Sequence, residues 1–275
     1  MTLRADSQIG FTMPSARGVA STALAILLAA AGAGCGTFQP TAMTTGSVAT
    51  QDTPSDPREA AQTWGERHRA NPRDPAIAVQ YAQALRGIGQ RAQAVAVLER
   101  ASIQNPSNME LLGAYGRALA DAGNYQQAFD VLNRAHTPDR PDWRVLNSQG
   151  AVLDQLGRHD EAQRYYATAL RIAPEEPSVL SNLGLSYALS KKLSEAEATL
   201  KRAAAGRNVD PRVRQNLALV IGLQGRFAEA EEIARADLPA EEAAANVAYL
   251  RQMMAQPNAL QARAQPKRSV ARPSS

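Results

Sequence analysis

A single cysteine and three histidines bound the chemistry open to this 275-residue chain. Cys35 has no partner for an internal disulfide, so its thiol is available only for modification or for another molecule. His68, His136 and His159 lie far apart in sequence. None has the spacing of a paired metal ligand, and none adjoins a candidate nucleophile. The acidic pairs Glu175–Glu176, Glu231–Glu232 and Glu241–Glu242 are adjacent, so on a helix their carboxylates diverge instead of sharing a proton. They read as solvated faces or as favourable charges at helix starts. The glycines around Cys35 precede no folded strand and make no phosphate loop. The expectation is a protein with no catalytic residue, no metal, no cofactor and no small-molecule substrate.

The segment leading to Cys35 explains the thiol better. Arg4 and Arg17 precede an uncharged run from Val19 to Ala31, followed by Gly32, Ala33 and Gly34. That run is shorter than the ~20 residues a membrane-spanning helix needs, and it reads as a secretory signal over residues 1–35. Met13 is an alternative start, with Arg17 as its charged region. The end of the segment resembles a bacterial lipobox, with Gly32 where leucine usually stands. The resemblance implies lipidation of Cys35. Gly36, in place of aspartate, implies sorting to the periplasmic face of the outer membrane. The alternative is ordinary signal cleavage and a soluble periplasmic protein.

Residues 36–57 are rich in Thr, Ser, Gly, Ala and Pro and read as a flexible tether. Residues 257–275 read as a disordered basic tail. Arg263, Lys267, Arg268 and Arg272 there match the whole formal excess of +4, so the segment between tether and tail is near neutral. Secretion takes nucleic acid out of reach, which leaves a solvated end or contact with an acidic surface.

Between the ends the chain repeats every 34 residues. Frames opening at Pro75, Met109, Trp143, Pro177 and Pro211 carry Ala82, Gly116, Gly150, Gly184 and Ala218 at the eighth position. Ala94, Ala128, Ala162, Ala196 and Ala230 hold the twentieth. Two helices approach closely only where neither presents a bulky side chain, so these residues mark helix crossings. Gly89, Gly123, Gly157 and Gly225 recur where a first helix must end in a left-handed turn, and Lys191 interrupts that series. Pro72, Pro106 and Pro174 stop the second helices. Pro138 and Pro141 are displaced in the second repeat, and Asn208 replaces proline in the fourth. The pattern resembles the tetratricopeptide repeat. It implies an all-α right-handed solenoid of helical hairpins over residues 58–256. A half-repeat at 58–74 precedes repeats 75–108, 109–142, 143–176, 177–210 and 211–244, and a capping helix runs to 256.

In that fold the first helix of each pair lines the concave surface. The candidate partner-binding groove is Arg117, Arg144, Asn147, Asn182, Leu185, Arg212, Gln215, Asn216 and Leu219, with Leu189 and Leu223 continuing an apolar stripe. The leucines are equally compatible with packing between helices. A lipobox-like cysteine, a tether and alanine- and glutamine-rich repeats together resemble the TadD family of tight-adherence (Flp) pilus assembly lipoproteins. That resemblance covers Cys35 to about Gln256. It implies a lipid-anchored protein with a protein or peptide partner, a pilus secretin or other secretion component. An alternative is a periplasmic scaffold for outer-membrane protein insertion or for cell-wall enzymes.

Overall fold

The computed structural model of the chain describes residues 56–206 and 209–264. The signal segment, Cys35, the tether through residue 55, Asn208 and the tail beyond 264 lie outside the described residues.

Twelve helices and no strand stand among the described residues. A lone α1 (Pro57–Ala70) is followed by five hairpins. Their first helices are α2 (Pro75–Gly87), α4 (Met109–Asp121), α6 (Trp143–Gln155), α8 (Pro177–Leu189) and α10 (Pro211–Leu223). Their second helices are α3 (Arg91–Gln104), α5 (Tyr125–Leu132), α7 (His159–Ile172), α9 (Leu193–Ala203) and α11 (Phe227–Ala234). The last helix, α12 (Ala240–Ala264), packs on α10 and α11. Each first helix also touches the next first helix, so α2, α4, α6, α8 and α10 form one layer.

Local chemistry starts and stops these helices in register. Asp74, Asn108, Asp142, Glu176 and Asp210 stand immediately before the five first helices, and each side chain accepts a hydrogen bond from a backbone N–H of the first turn. Such caps satisfy donors that the helix itself cannot, and the Asp and Asn caps each stabilise by ~1 kcal/mol, while the Glu176 contact, at 3.4 Å, is weaker. At the other end Gly89, Gly123, Gly157 and Gly225 have φ of 78°, 83°, 74° and 83°. The next residue's N–H reaches back to a carbonyl five residues earlier, as in Gln90 N–H to Leu85 O at 2.9 Å and Arg158 N–H to Leu153 O at 2.9 Å.

Lys191 does not interrupt this turn. It takes φ of 63°, and the Lys192 N–H bonds Tyr187 O at 2.9 Å as in the other repeats. The surrounding hairpin fixes the left-handed geometry, and lysine adopts it at a steric penalty glycine would avoid. Two boundaries also differ from expectation. The first helix begins at Pro57 on an Asp56 cap, so the tether stops short of 57. The last helix continues past 256 to Ala264, into the segment expected to be disordered, because residues 240–264 are dominated by the strong helix formers Ala, Leu, Gln, Met and Arg.

Close crossings hold the hairpins shut. A Cβ added at Gly116, Gly150 or Gly184 would lie 2.5 Å from Leu132 Cγ, Tyr166 Cε1 or Leu200 Cγ, respectively. Those three partners are themselves almost fully buried, so neither side of the crossing has room for another methyl group.

Candidate functional site

The layer of first helices carries the candidate groove. Asn182 Nδ2 donates to Asn147 Oδ1 at 3.0 Å, and one repeat further Asn216 Nδ2 donates to Ser181 Oγ at 3.0 Å. The fifth position of one first helix is thereby tied to the sixth position of the next. Each tie uses one half of an amide. Asn147 Nδ2, Asn182 Oδ1 and Asn216 Oδ1 have no partner among the described residues. Leu185 and Leu219 are half-buried, while Leu189 is 37% exposed. Gln215 is half-buried. Arg212 is exposed in the first turn of α10, where its backbone N–H is used by the Asp210 cap.

Arg117 and Arg144 sit elsewhere on the same layer, at an open cleft of about 660 Å³ between α4 and the start of α6. Met109, Pro141, Trp143 and Val145 give it apolar walls. Burial lowers the Arg117 pKa, Arg86 and Arg144 add to that effect, and Asp142 and Asp121 oppose it. The cleft exists because α5 ends at Leu132, short beside the 14-residue α3 and α7, and the chain from 133 to 142 crosses the gap without a helix.

A buried polar cluster lies outside the expected residues. Asp154 on α6 accepts from His159 Nδ1 at 2.8 Å, Ser186 Oγ at 2.8 Å and Tyr166 Oη at 3.0 Å. Desolvation raises its pKa above the usual carboxylate value, against the three hydrogen bonds that favour the anion. Serine, histidine and aspartate meet here without forming a nucleophile: Ser186 is fully buried and bonds the carboxylate, not the imidazole. The signal available in the sequence was an aspartate at the twelfth position, where the other frames carry Arg86, Ala120, Ala188 and Gly222.

Of the remaining histidines, His136 is hydrogen-bonded through Nε2 alone, and the buried Nδ1 of both His68 and His136 has no partner among the described residues. His136 Nε2 donates to Gln149 Oε1 at 3.1 Å, and Gln149 Nε2 donates to Asn133 Oδ1 at 2.7 Å. The His68 ring lies 5.5 Å from Tyr81, and burial lowers its pKa. No group of side chains able to hold a metal ion occurs among the described residues. No helix there is long and apolar enough to cross a membrane.

Two tetratricopeptide repeat models match the chain, over residues 79–142 and 155–220. No curated protein matches it. Among solved structures, a tetratricopeptide repeat protein from Parabacteroides merdae is similar at 15% identity with a TM-score of 0.60, covering 70% of this chain and 77% of that one. A chain of the APC/C hetero-tetramer Cut9–Hcn1 is similar at 18% identity and a TM-score of 0.57, covering 70% of this chain and 39% of the other. Pseudomonas aeruginosa pilF is similar at 19% identity and a TM-score of 0.51, covering 66% and 80%. At these identities the likeness is one of fold. The repeat matches, the hairpin register and these neighbours agree: the chain is a tetratricopeptide-repeat solenoid, the architecture of a protein-interaction scaffold.

Proposed function

We propose that the first-helix layer holds an extended segment of a partner protein, and that Cys35 carries a lipid that keeps the solenoid at the periplasmic face of the outer membrane. The observation that carries the binding role is the repeated tie Asn147–Asn182 and Ser181–Asn216, which presents free amide groups at the repeat spacing beside Leu185 and Leu219. Backbone groups of an extended peptide meet such hooks with their own donors and acceptors, while the leucines cover its apolar side chains.

The partner best supported is an unassembled pilus secretin subunit. Support comes from the signal segment ending in Cys35, the tether and the repeat style that resemble the TadD family. A tethered groove would raise the local concentration of such a segment near its target membrane. The test is affinity capture from solubilised outer membranes, with Cys35→Ser as control. Recovery of a secretin with the wild type, and loss of both membrane association and secretin assembly in the variant, is the expected result. A wild type that takes up no labelled palmitate, or a capture dominated by cell-wall hydrolases, would sink it.

A further inference from the structure

We infer that the cleft between α4 and α6 takes a carboxylate side chain from an acidic segment of the partner protein, with Arg117 as its anchor and Arg144 and Arg140 at its rim. The inference rests on the proposed role of the first-helix layer as a peptide groove and names the chemistry of what enters it.

Charge carries the argument. The Arg117, Arg140 and Arg144 guanidiniums line one cleft, and none is in an ion pair among the described residues. Arg117 is half-buried; the other half-buried arginines, Arg86 and Arg214, are neutralised locally, and the remaining unpaired arginines among the described residues are exposed. Arg86 is held by Asp121, Arg214 by Asp237, and Arg226 by Glu197 and Glu229. A half-buried guanidinium without a counter-ion is unfavourable, and an entering carboxylate would offset that with charge-assisted, bidentate hydrogen bonds. Asp142 cannot serve fully as the internal counter-ion, since its Oδ1 caps α6 through the Arg144 N–H at 2.7 Å.

Shape agrees with charge. The fifth frame position carries Val79, Asn147, Ser181 and Gln215 in the other repeats but Gly113 here. A Cβ at Gly113 would lie 3.4 Å from Arg117 Nη1, so a larger side chain would crowd the guanidinium and fill the entrance. Apolar walls from Met109, Trp143 and Val145 suit an acidic residue flanked by an apolar one. Glu110 and Asp142 on the same lining repel a dianion, which selects a carboxylate over a phosphate.

The test is selection of a random decapeptide library on the full secreted chain carrying Cys35→Ser, repeated with Arg117→Gln and with the exposed Arg144→Gln. Melting curves verify that both variants fold. Enrichment of Asp or Glu beside an apolar residue is expected on the parent chain. Selected peptides should lose at least about tenfold in affinity on either variant and weaken as salt rises. Peptides selected without acidic enrichment, or bound equally by Arg117→Gln, overturn the inference and leave the groove reading standing. Failure to select any peptide removes both.

Discussion

Ser186 Oγ donates to Asp154 Oδ1 at 2.8 Å across the boundary between the third and fourth hairpins. The same carboxylate receives His159 and Tyr166 from its own hairpin, so one buried anion joins two repeats through three donors. Each repeat of a solenoid contacts only its neighbours, and a polar junction there links their unfolding. Geometry also defines how the junction responds to substitution.

Asp154→Asn should be tolerated. Its amide oxygen can still accept from His159 and Ser186, and its NH2 can donate to the Tyr166 oxygen, which accepts as readily as it donates. Asp154→Ala leaves the buried Ser186 and Tyr166 hydroxyls and the half-buried His159 without their acceptor and should destabilise by ~1–3 kcal/mol. Because burial raises the folded carboxyl pKa above its ordinary 3.8, the stability this group contributes is greatest below that value. It declines as pH rises through the folded value. Melting from pH 3 to 8 should therefore show a slope in the wild type that flattens in Asp154→Asn. Equal slopes would remove Asp154 from the pH response.

Glu197 behaves in the opposite sense. Hydrogen bonds from Lys201, Arg226 and Gln224 lower its pKa from 4.5 to about 2, so its contribution is complete above 4.5 and is lost as pH falls towards 2. Glu197→Gln should reduce stability at neutral pH and shrink the loss on acidification. Acid titration monitored by circular dichroism checks both, and an unaltered acid limb would show that the three donors are satisfied by solvent instead.

Gly150 and Gly87 form a matched pair. Alanine in a helix gains ~0.5–1 kcal/mol over glycine, but at Gly150 its Cβ would press on Tyr166, which is 1% exposed and tied to Asp154. Overpacking costs about 1–3 kcal/mol, so Gly150→Ala should lower the melting temperature. At Gly87, the last residue of α2, nothing lies within 4 Å of an added Cβ, and Gly87→Ala should raise it. The same sign for both substitutions would contradict the crossing geometry.

Features set within one repeat were visible in the 34-residue period. Small residues at Gly116, Gly150 and Gly184 fix the crossings, and the glycine series fixes the turns, because both are local steric demands. The caps at Asp74, Asn108, Asp142, Glu176 and Asp210 follow the same 34-residue period. What escaped depends on several elements at once. Asp154 becomes a hub only when α6, α7 and α8 meet, and the Arg117 cleft requires α5 to stop at Leu132. Lys191 escaped for another reason: residue type suggested a broken turn, whereas the fold imposes the backbone angle.

Lys191→Gly follows from that angle. A left-handed lysine is strained by roughly 1–2 kcal/mol, of which glycine's larger unfolded-state entropy takes back ~0.5–1. The variant should melt a few degrees higher. A lower melting temperature would mean that the lysine side chain contributes more than its backbone loses, its neighbour Lys192 being the one that bonds Asp160 and Gln163.

The leucine pair tests the groove most directly. Leu185 and Leu219 occupy the ninth position of α8 and α10 and are half-buried, between the fully packed Leu180 and the exposed Leu189. Replacing both with serine removes apolar contact area that a ligand would cover, at a stability loss well below the 2–5 kcal/mol typical of truncating a core leucine. Peptide or partner affinity should fall while helicity and cooperative melting persist. A large loss of stability with undiminished binding would assign these side chains to inter-helix packing and move the binding surface away from α8 and α10.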